Sequence, residues 1–254
     1  MVSVTQRVES IKQPRGGYIS IKTFQVIENE DNSSQLYPGL ENINAGIVGS
    51  AVEYLTRAIL TGNPLRAFEI SIWGAEVIGE QKIATKKAKS ITYLTPESII
   101  SACQLAGYDV CFRAGVSWYK PVQDILPDDN TIKNIETMVK RSIHFFNKYG
   151  PVIEEGFTFE GGYSLTVSSG DGDFITADTL WDFKVSKKEP SIEHTLQLLM
   201  YYIMGTHSKN KNLHGIRQLG IYNPRLNKVY LKQISSIPID VIRQIESEVL
   251  EYKK

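Results

Sequence analysis

The sequence predicts an α/β fold in which a central mixed sheet of about four to five strands is flanked by helices, with a largely helical insertion. Three observations lead there. Residues 44–60 repeat apolar side chains every three or four positions, the period of an amphipathic helix. From Val152 onward the pattern changes to short strand-like segments separated by Gly-Gly, Ser-Ser-Gly and Ala-Asp turn signals. A helical run from about Glu193 to Met204 then stands between these segments and two further strand-like runs.

Taken in order, the first dozen residues are uninformative, Tyr18 to Ile27 alternates as a strand, and Asp31 to Gly39 is rich in loop residues. In the helix Asn44 to Leu60, Ile47, Val48, Ala51, Val52, Leu55, Ala58 and Ile59 supply the apolar face, and Gly62 and Pro64 end it. Thr95-Pro96-Glu97-Ser98 starts another helix. It offers a capping hydroxyl, a proline where no N–H is needed and an acid near the positive end of the dipole, and Gly107 closes the helix. Tyr108 to Trp118 reads as a strand, Pro127 to Asn130 as a turn, and Thr131 to Tyr149 as a long helix ended by Gly150-Pro151; Trp73 and Trp118 read as core. The later strands are Val152 to Phe159, Tyr163 to Ser168, Asp171 to Thr176 and Thr179 to Val185. Gln218 to Tyr222 and Val229 to Gln233 follow, joined by the turn Asn223 to Asn227, and Pro238 leads into a terminal helix ending in Lys253-Lys254. The chain reads as a single domain, 1–254, within which residues 65–149 form an insertion or helical lobe.

A content of 42% hydrophobic and 22% charged residues is that of an ordinary folded protein. Lys plus Arg and Asp plus Glu each number 28, which excludes a global positive field, so a phosphate-binding surface must arise from local segregation of charge. Lys82, Lys86, Lys87 and Lys89 form one acid-free stretch and Lys184, Lys187 and Lys188 another, while acids gather at Glu28, Glu30, Asp31 and at Asp124, Asp128, Asp129. Lysine runs are equally compatible with solvated faces. Cys103 and Cys111 are too few for a disulfide framework, match no redox pair or zinc ribbon, and read as reduced core residues. His144, His194, His207 and His214 lack zinc-ligand spacing and read as structural. There is no apolar leader-like segment in the first thirty residues and no run of about eighteen apolar residues, so a cytoplasmic protein without a membrane partner is expected.

The chemistry concentrates after residue 170. In Thr179-Leu180-Trp181-Asp182-Phe183-Lys184-Val185 a strand's period of two puts Leu180, Asp182 and Lys184 on one face and Trp181, Phe183 and Val185 on a core face. Antiparallel pairing with Asp171 to Thr176 would bring Asp173 near Asp182. Two convergent carboxylates repel unless a cation lies between them, and oxygen ligands suit a hard ion such as Mg2+ or Mn2+. Lys184 could then offset the charge of an attacking water or of a transition-state phosphate.

These residues resemble the PD-(D/E)XK nuclease superfamily and, within it, the RecB-like branch. Its core motif, an Asp on one strand and Asp or Glu, any residue and Lys on the next, is matched by Asp173 and Asp182-Phe183-Lys184. The Gln and Tyr that the branch spaces four apart on the following helix are matched by Gln197 and Tyr201, and its early helix bearing Gly and then Glu by Gly49 to Glu53. The strong part of the likeness runs from Glu154 to about Leu231. The resemblance implies a restriction-endonuclease-like core and a Mg2+-dependent deoxyribonuclease, exonuclease type favoured, in which Mn2+ could substitute. It implies that Asp173, Asp182, the Phe183 carbonyl and Glu53 bind the metal, that Lys184 positions the water, and that Gln197 and Tyr201 orient active-site groups or phosphates. Lys187 and Lys188 would contact nucleic acid. Helicase or recombination proteins are the partners it suggests, and phage recombination or defence a setting. Two cysteines cannot hold the iron–sulfur cluster of some relatives. The rivals are an inactive member of the same fold that binds nucleic acid or serves as an assembly subunit, and a general α/β protein with a different metal-dependent hydrolase activity, or none, in which these residues form a surface ion-pair network.

Overall fold

The computed structural model describes residues 1–29, 36–37 and 39–252. Glu30, Asp31, most of the expected loop to Gly39, and Lys253-Lys254 lie outside the described residues. In chain order the elements are β1 (Val2–Ser3), α1 (Val4–Ser10), β2 (Gln25–Glu28), α2 (Ala45–Thr61), α3 (Pro64–Ala67), α4 (Glu69–Val77), α5 (Gln81–Ser90), α6 (Pro96–Ala106), α7 (Asp109–Arg113) and α8 (Asp129–Tyr149). They continue with β3 (Glu154–Thr158), β4 (Val167–Ser169), β5 (Asp171–Ile175), β6 (Thr179–Phe183), α9 (Ile192–His207), β7 (Gln218–Asn223), β8 (Lys228–Gln233) and α10 (Ile239–Gln244). Among the described residues no helix is long and apolar enough to cross a membrane.

The chain divides into two units, Met1–Glu30 with Phe146–Lys254, and Asp31–Phe145. The second is helical and begins upstream of residue 65, because α2 packs on α3 and α6. Its caps follow the sequence signals. The Asn44 side chain accepts from Gly46 N–H at 2.8 Å, Gly62 takes the left-handed conformation (φ 66°) that ends α2, and Thr95 accepts from Ser98 N–H at 3.3 Å. The stretch Tyr108 to Trp118 is not a strand: α7 fills it, followed by a 3-10 turn at Val116–Trp118. Its apolar alternation does not track burial, since Tyr108, Asp109 and Cys111 are buried while Phe112, Val116 and Trp118 are exposed. Hydrogen bonds from Tyr54 and Ser71 to the Asp109 carboxylate fix a helical turn there, and Gly74 of α4 lets that helix approach the Tyr108 carbonyl closely. Trp73 and Trp118, expected in the core, are 39% and 72% exposed. Cys103 and Cys111 are free thiols in buried positions.

The first unit carries a six-stranded mixed sheet in the order β2-β8-β7-β6-β5-β3, where the sequence suggested about four to five strands. The N-terminal segment adds β2 at the edge against β8, while the Tyr163 to Ser168 region yields only β4, which pairs in parallel with β1 outside this sheet. Tyr18 to Ile27 is strand only from Gln25, because Ser20 caps a 3-10 turn at Ile21–Thr23. The first dozen residues are ordered as well: Ser3 and Gln6 form a capping box that starts α1.

β6 and β7 are parallel, and α9 supplies the crossover such a pair requires. That connection covers the sheet face of Leu180, so both faces of β6 are buried rather than one. On one side Leu180, Leu219 and Ile221 share a core with Leu196, Leu199, Met200 and Ile203 of α9 and with Val4 and Val8 of α1. On the other, Trp181 meets Tyr149, and Phe183 meets Phe174 and Tyr222. Gly220 of β7 lies opposite Trp181, and a side-chain carbon at Gly220 would enter the indole ring. Gly220→Ala is therefore expected to destabilise the protein by about 1–3 kcal/mol, the usual cost of overpacking. Urea unfolding measures this, and an unchanged midpoint would mean that the Trp181 contact is not tight.

Candidate active site

β5 and β6 are antiparallel neighbours with Phe174 opposite Trp181, so the same register carried one residue further sets Asp173 against Asp182. The Phe183 N–H donates to Asp173 Oδ2 at 2.7 Å, tying the first carboxylate to the strand that carries the second. Asp182 is buried, its side chain only 1% exposed, and Lys184 Nζ meets its Oδ1 at 2.9 Å. Lys184 also donates to Gln197 Oε1 at 3.2 Å, and Gln197 Nε2 donates to the Tyr201 hydroxyl at 2.8 Å. Sheet and crossover helix are thereby joined by one continuous chain, Asp182–Lys184–Gln197–Tyr201.

Each link has a local cause. Lys184 follows directly after β6, and its N–H donates to the Tyr222 carbonyl at 2.9 Å, continuing the ladder. The four-residue spacing of Gln197 and Tyr201 places both on one face of α9. Thr195 Oγ1 donates to the Ile19 carbonyl at 2.8 Å and anchors the same helix. Tyr201 stacks on Phe159 with ring centroids 4.9 Å apart. Burial first, then the negative charge of Asp173 and Asp182, pushes its phenol well above the ordinary tyrosine range, so it remains a neutral hydroxyl.

Lys187 and Lys188 are exposed on the loop between β6 and α9. That loop is fixed by Asn223 Nδ2, which donates to the Ser186 carbonyl at 2.8 Å, and by Glu189, which accepts from Tyr230 and pairs with Lys228 at 3.0 Å. Glu53 stands on α2 in the other unit, in an ion pair with Arg57 at 2.5 Å. The lysines of α5 are surface residues apart from Lys87, which donates to Gln104 Oε1 at 2.7 Å. Asp171, Gly172 and Asp173 all lie within β5.

The donor chemistry of Asp173 and Asp182, two hard carboxylates on adjacent strands, fits a divalent cation such as Mg2+. Among the described residues no group of three or more His, Cys, Asp or Glu side chains converges at ligand spacing.

Sequence reasoning passed over one residue at this site. His194 occupies the third position of α9, one turn before Gln197, and its Nδ1 accepts the Ser191 N–H at 3.1 Å. The signal was present as Ser191-x-x-His194 at the head of the helix, a capping-box spacing. His207 and His214 are structural as expected: the first stacks on Tyr252, and Nε2 of the second lies 2.8 Å from the Ser208 carbonyl.

Compared with known proteins, the chain matches no family model, no curated protein and no solved structure.

Proposed function

We propose that this protein is a metal-dependent nuclease that hydrolyses phosphodiester bonds of DNA, with a restriction-endonuclease-like core of the PD-(D/E)XK type and RecB-like exonuclease character. The observation that carries this reading is the placement of Asp173 and Asp182 on paired strands, with Lys184 joined through Gln197 to Tyr201. Asp173, Asp182 and the Phe183 carbonyl would hold Mg2+, with Mn2+ as a substitute. A cation held by these residues would supply Lewis-acid activation of water and neutralisation of phosphate charge.

The protein's own groups then act as follows. Lys184 directs its ammonium at the attacking water and at the negative charge that grows on the phosphate. Gln197 holds Lys184 by accepting one of its N–H bonds, so the ammonium is oriented before substrate arrives. Tyr201, kept neutral, fixes Gln197 by accepting its N–H. Lys187 and Lys188 lie on the adjoining exposed loop, where they would meet backbone phosphates. Helicase or recombination proteins, in a phage recombination or defence setting, are the partners this reading suggests.

A second reading draws on the burial of Asp182 within its ion pair with Lys184. On that reading the network is structural, and the protein is an inactive member of the same fold that binds nucleic acid or joins an assembly. Labelled linear, circular and single-stranded DNA, incubated with Mg2+, with Mn2+ and with chelator, separates the two. Cutting that chelator abolishes supports the nuclease, and cutting of linear but not circular DNA supports an exonuclease. Binding without cutting favours the second reading. Asp182→Asn should weaken Mn2+ binding by calorimetry; unchanged metal binding together with unchanged stability would sink the catalytic assignment.

A further inference from the structure

The head of α9 carries a polar side chain that the motif does not use. Counting along the helix, His194, Gln197 and Tyr201 stand at i, i+3 and i+7, which gathers them on one face. Gln197 and Tyr201 already define that face as the one turned to Lys184. His194 stands one turn before Gln197 on that face, and the Lys184 charge acts on its imidazole.

The capping bond fixes the ring chemically. A backbone N–H can only donate, so Nδ1, which receives the Ser191 N–H, must present a lone pair, and the proton of the neutral ring must sit on Nε2. Burial first, and Lys184 second, lowers the imidazole pKa to about 4 against a smaller opposing pull from Glu193, so the ring is neutral near pH 7. His194 is half-buried, and among the described residues its ring hydrogen bond is the one at Nδ1. An oriented donor on the helix face turned to a cationic ammonium is suited to a phosphate oxygen, which can accept from both.

We infer that His194 is a substrate-contacting residue whose Nε2–H donates a hydrogen bond to a DNA backbone phosphate held at Lys184, its Nδ1 being occupied by the helix cap. The inference rests on the nuclease reading and extends it by one residue. A cap alone explains the Nδ1 bond and the tautomer that follows from it; what the inference adds is the use of that Nε2–H on substrate.

Three variants separate cap from donor. His194→Gln keeps an acceptor for Ser191 N–H and an N–H donor; His194→Glu keeps the acceptor alone; His194→Ala keeps neither. Affinity for a fluorescent oligonucleotide in Ca2+ and single-turnover cleavage in Mg2+ are measured for each, with melting temperature as the measure of the cap. The Gln variant should stay close to wild type in both, while Glu and Ala lose about tenfold or more in affinity or rate, the value of a hydrogen bond to a charged group. The Glu variant should still melt near wild type. Equal behaviour of Gln and Glu at intact melting temperature, whether both active or both impaired, overturns the assignment and leaves the nuclease reading standing. A wild-type protein that neither binds nor cuts DNA removes that reading and this inference with it.

Discussion

Lys184→Ala is expected to lower the single-turnover rate of Mg2+-dependent DNA cleavage by about 10²–10³-fold, the range seen when one preorganised electrostatic donor is removed. The argument is geometric. Lys184 Nζ lies 2.9 Å from Asp182 and 3.2 Å from Gln197, so its position is set by two partners before any substrate binds. Alanine removes the charge and also strips a buried carboxylate of its cation, so stability should fall in the same variant. Breaking a buried pair costs about 3–5 kcal/mol, and because the Lys184 side chain is 23% exposed the lower end applies. Rate and stability must therefore be separated, and a double variant does so. Lys184→Met with Asp182→Asn removes both charges, which should return most of the lost stability and none of the cleavage. Urea unfolding beside a cleavage time course reads both. If Lys184→Ala cuts at the wild-type rate while unfolding more easily, the residue is a structural ion-pair partner, and the nuclease reading loses the group that carries it.

The parts of this arrangement that were legible in the sequence are those encoded by short-range periodicity. β5 and β6 announce themselves by alternation and by the turn between them, and the period of two was enough to put Asp182 and Lys184 together. The four-residue spacing of Gln197 and Tyr201 did the same on α9. What could not be read was pairing across long stretches of chain. Nothing local to residues 25–28 says that they join β8 some two hundred residues later, and nothing in residues 163–168 says that their pairing leaves the main sheet. The parallel β6–β7 step was equally hidden, and with it the covering of the Leu180 face by α9. The misreading of Tyr108 to Trp118 has another cause. Its apolar residues alternate, but the position that decides the local structure is polar: Asp109 is buried with partners 38 and 55 residues upstream. The place of His194 at the head of α9 was hidden because it rests on a capping bond to Ser191, which spacing between histidines does not reveal.

Asp109→Ala is expected to produce the largest stability loss in the helical unit. The Asp109 carboxylate is buried, with the Tyr54 hydroxyl donating to Oδ2 at 2.7 Å and the Ser71 hydroxyl donating to Oδ1 at 2.6 Å. Alanine leaves both hydroxyls in the core facing a void, and two orphaned donors together cost about 2–5 kcal/mol. Asp109→Asn should cost less, because its amide carbonyl still accepts one hydroxyl and its N–H can be received by the other. The two variants differ further in their dependence on pH. Burial is the largest influence on Asp109 and raises its pKa above the ordinary aspartate value, with Glu53 acting in the same direction and Ser71, Tyr54 and Arg113 against it. The folded state therefore binds this proton more tightly than the unfolded chain, whose value is about 3.9. Stability from this group is fully present below about pH 4 and is lost as pH rises through the raised folded value. Asparagine does not titrate, so the stability of Asp109→Asn relative to wild type should improve as pH is raised across that window. Urea unfolding of both proteins from pH 4 to pH 8 measures the difference. A gap that stays constant with pH would show that the two hydroxyl bonds offset the burial of the charge completely, and Asp109 would then be an ordinary satisfied carboxylate.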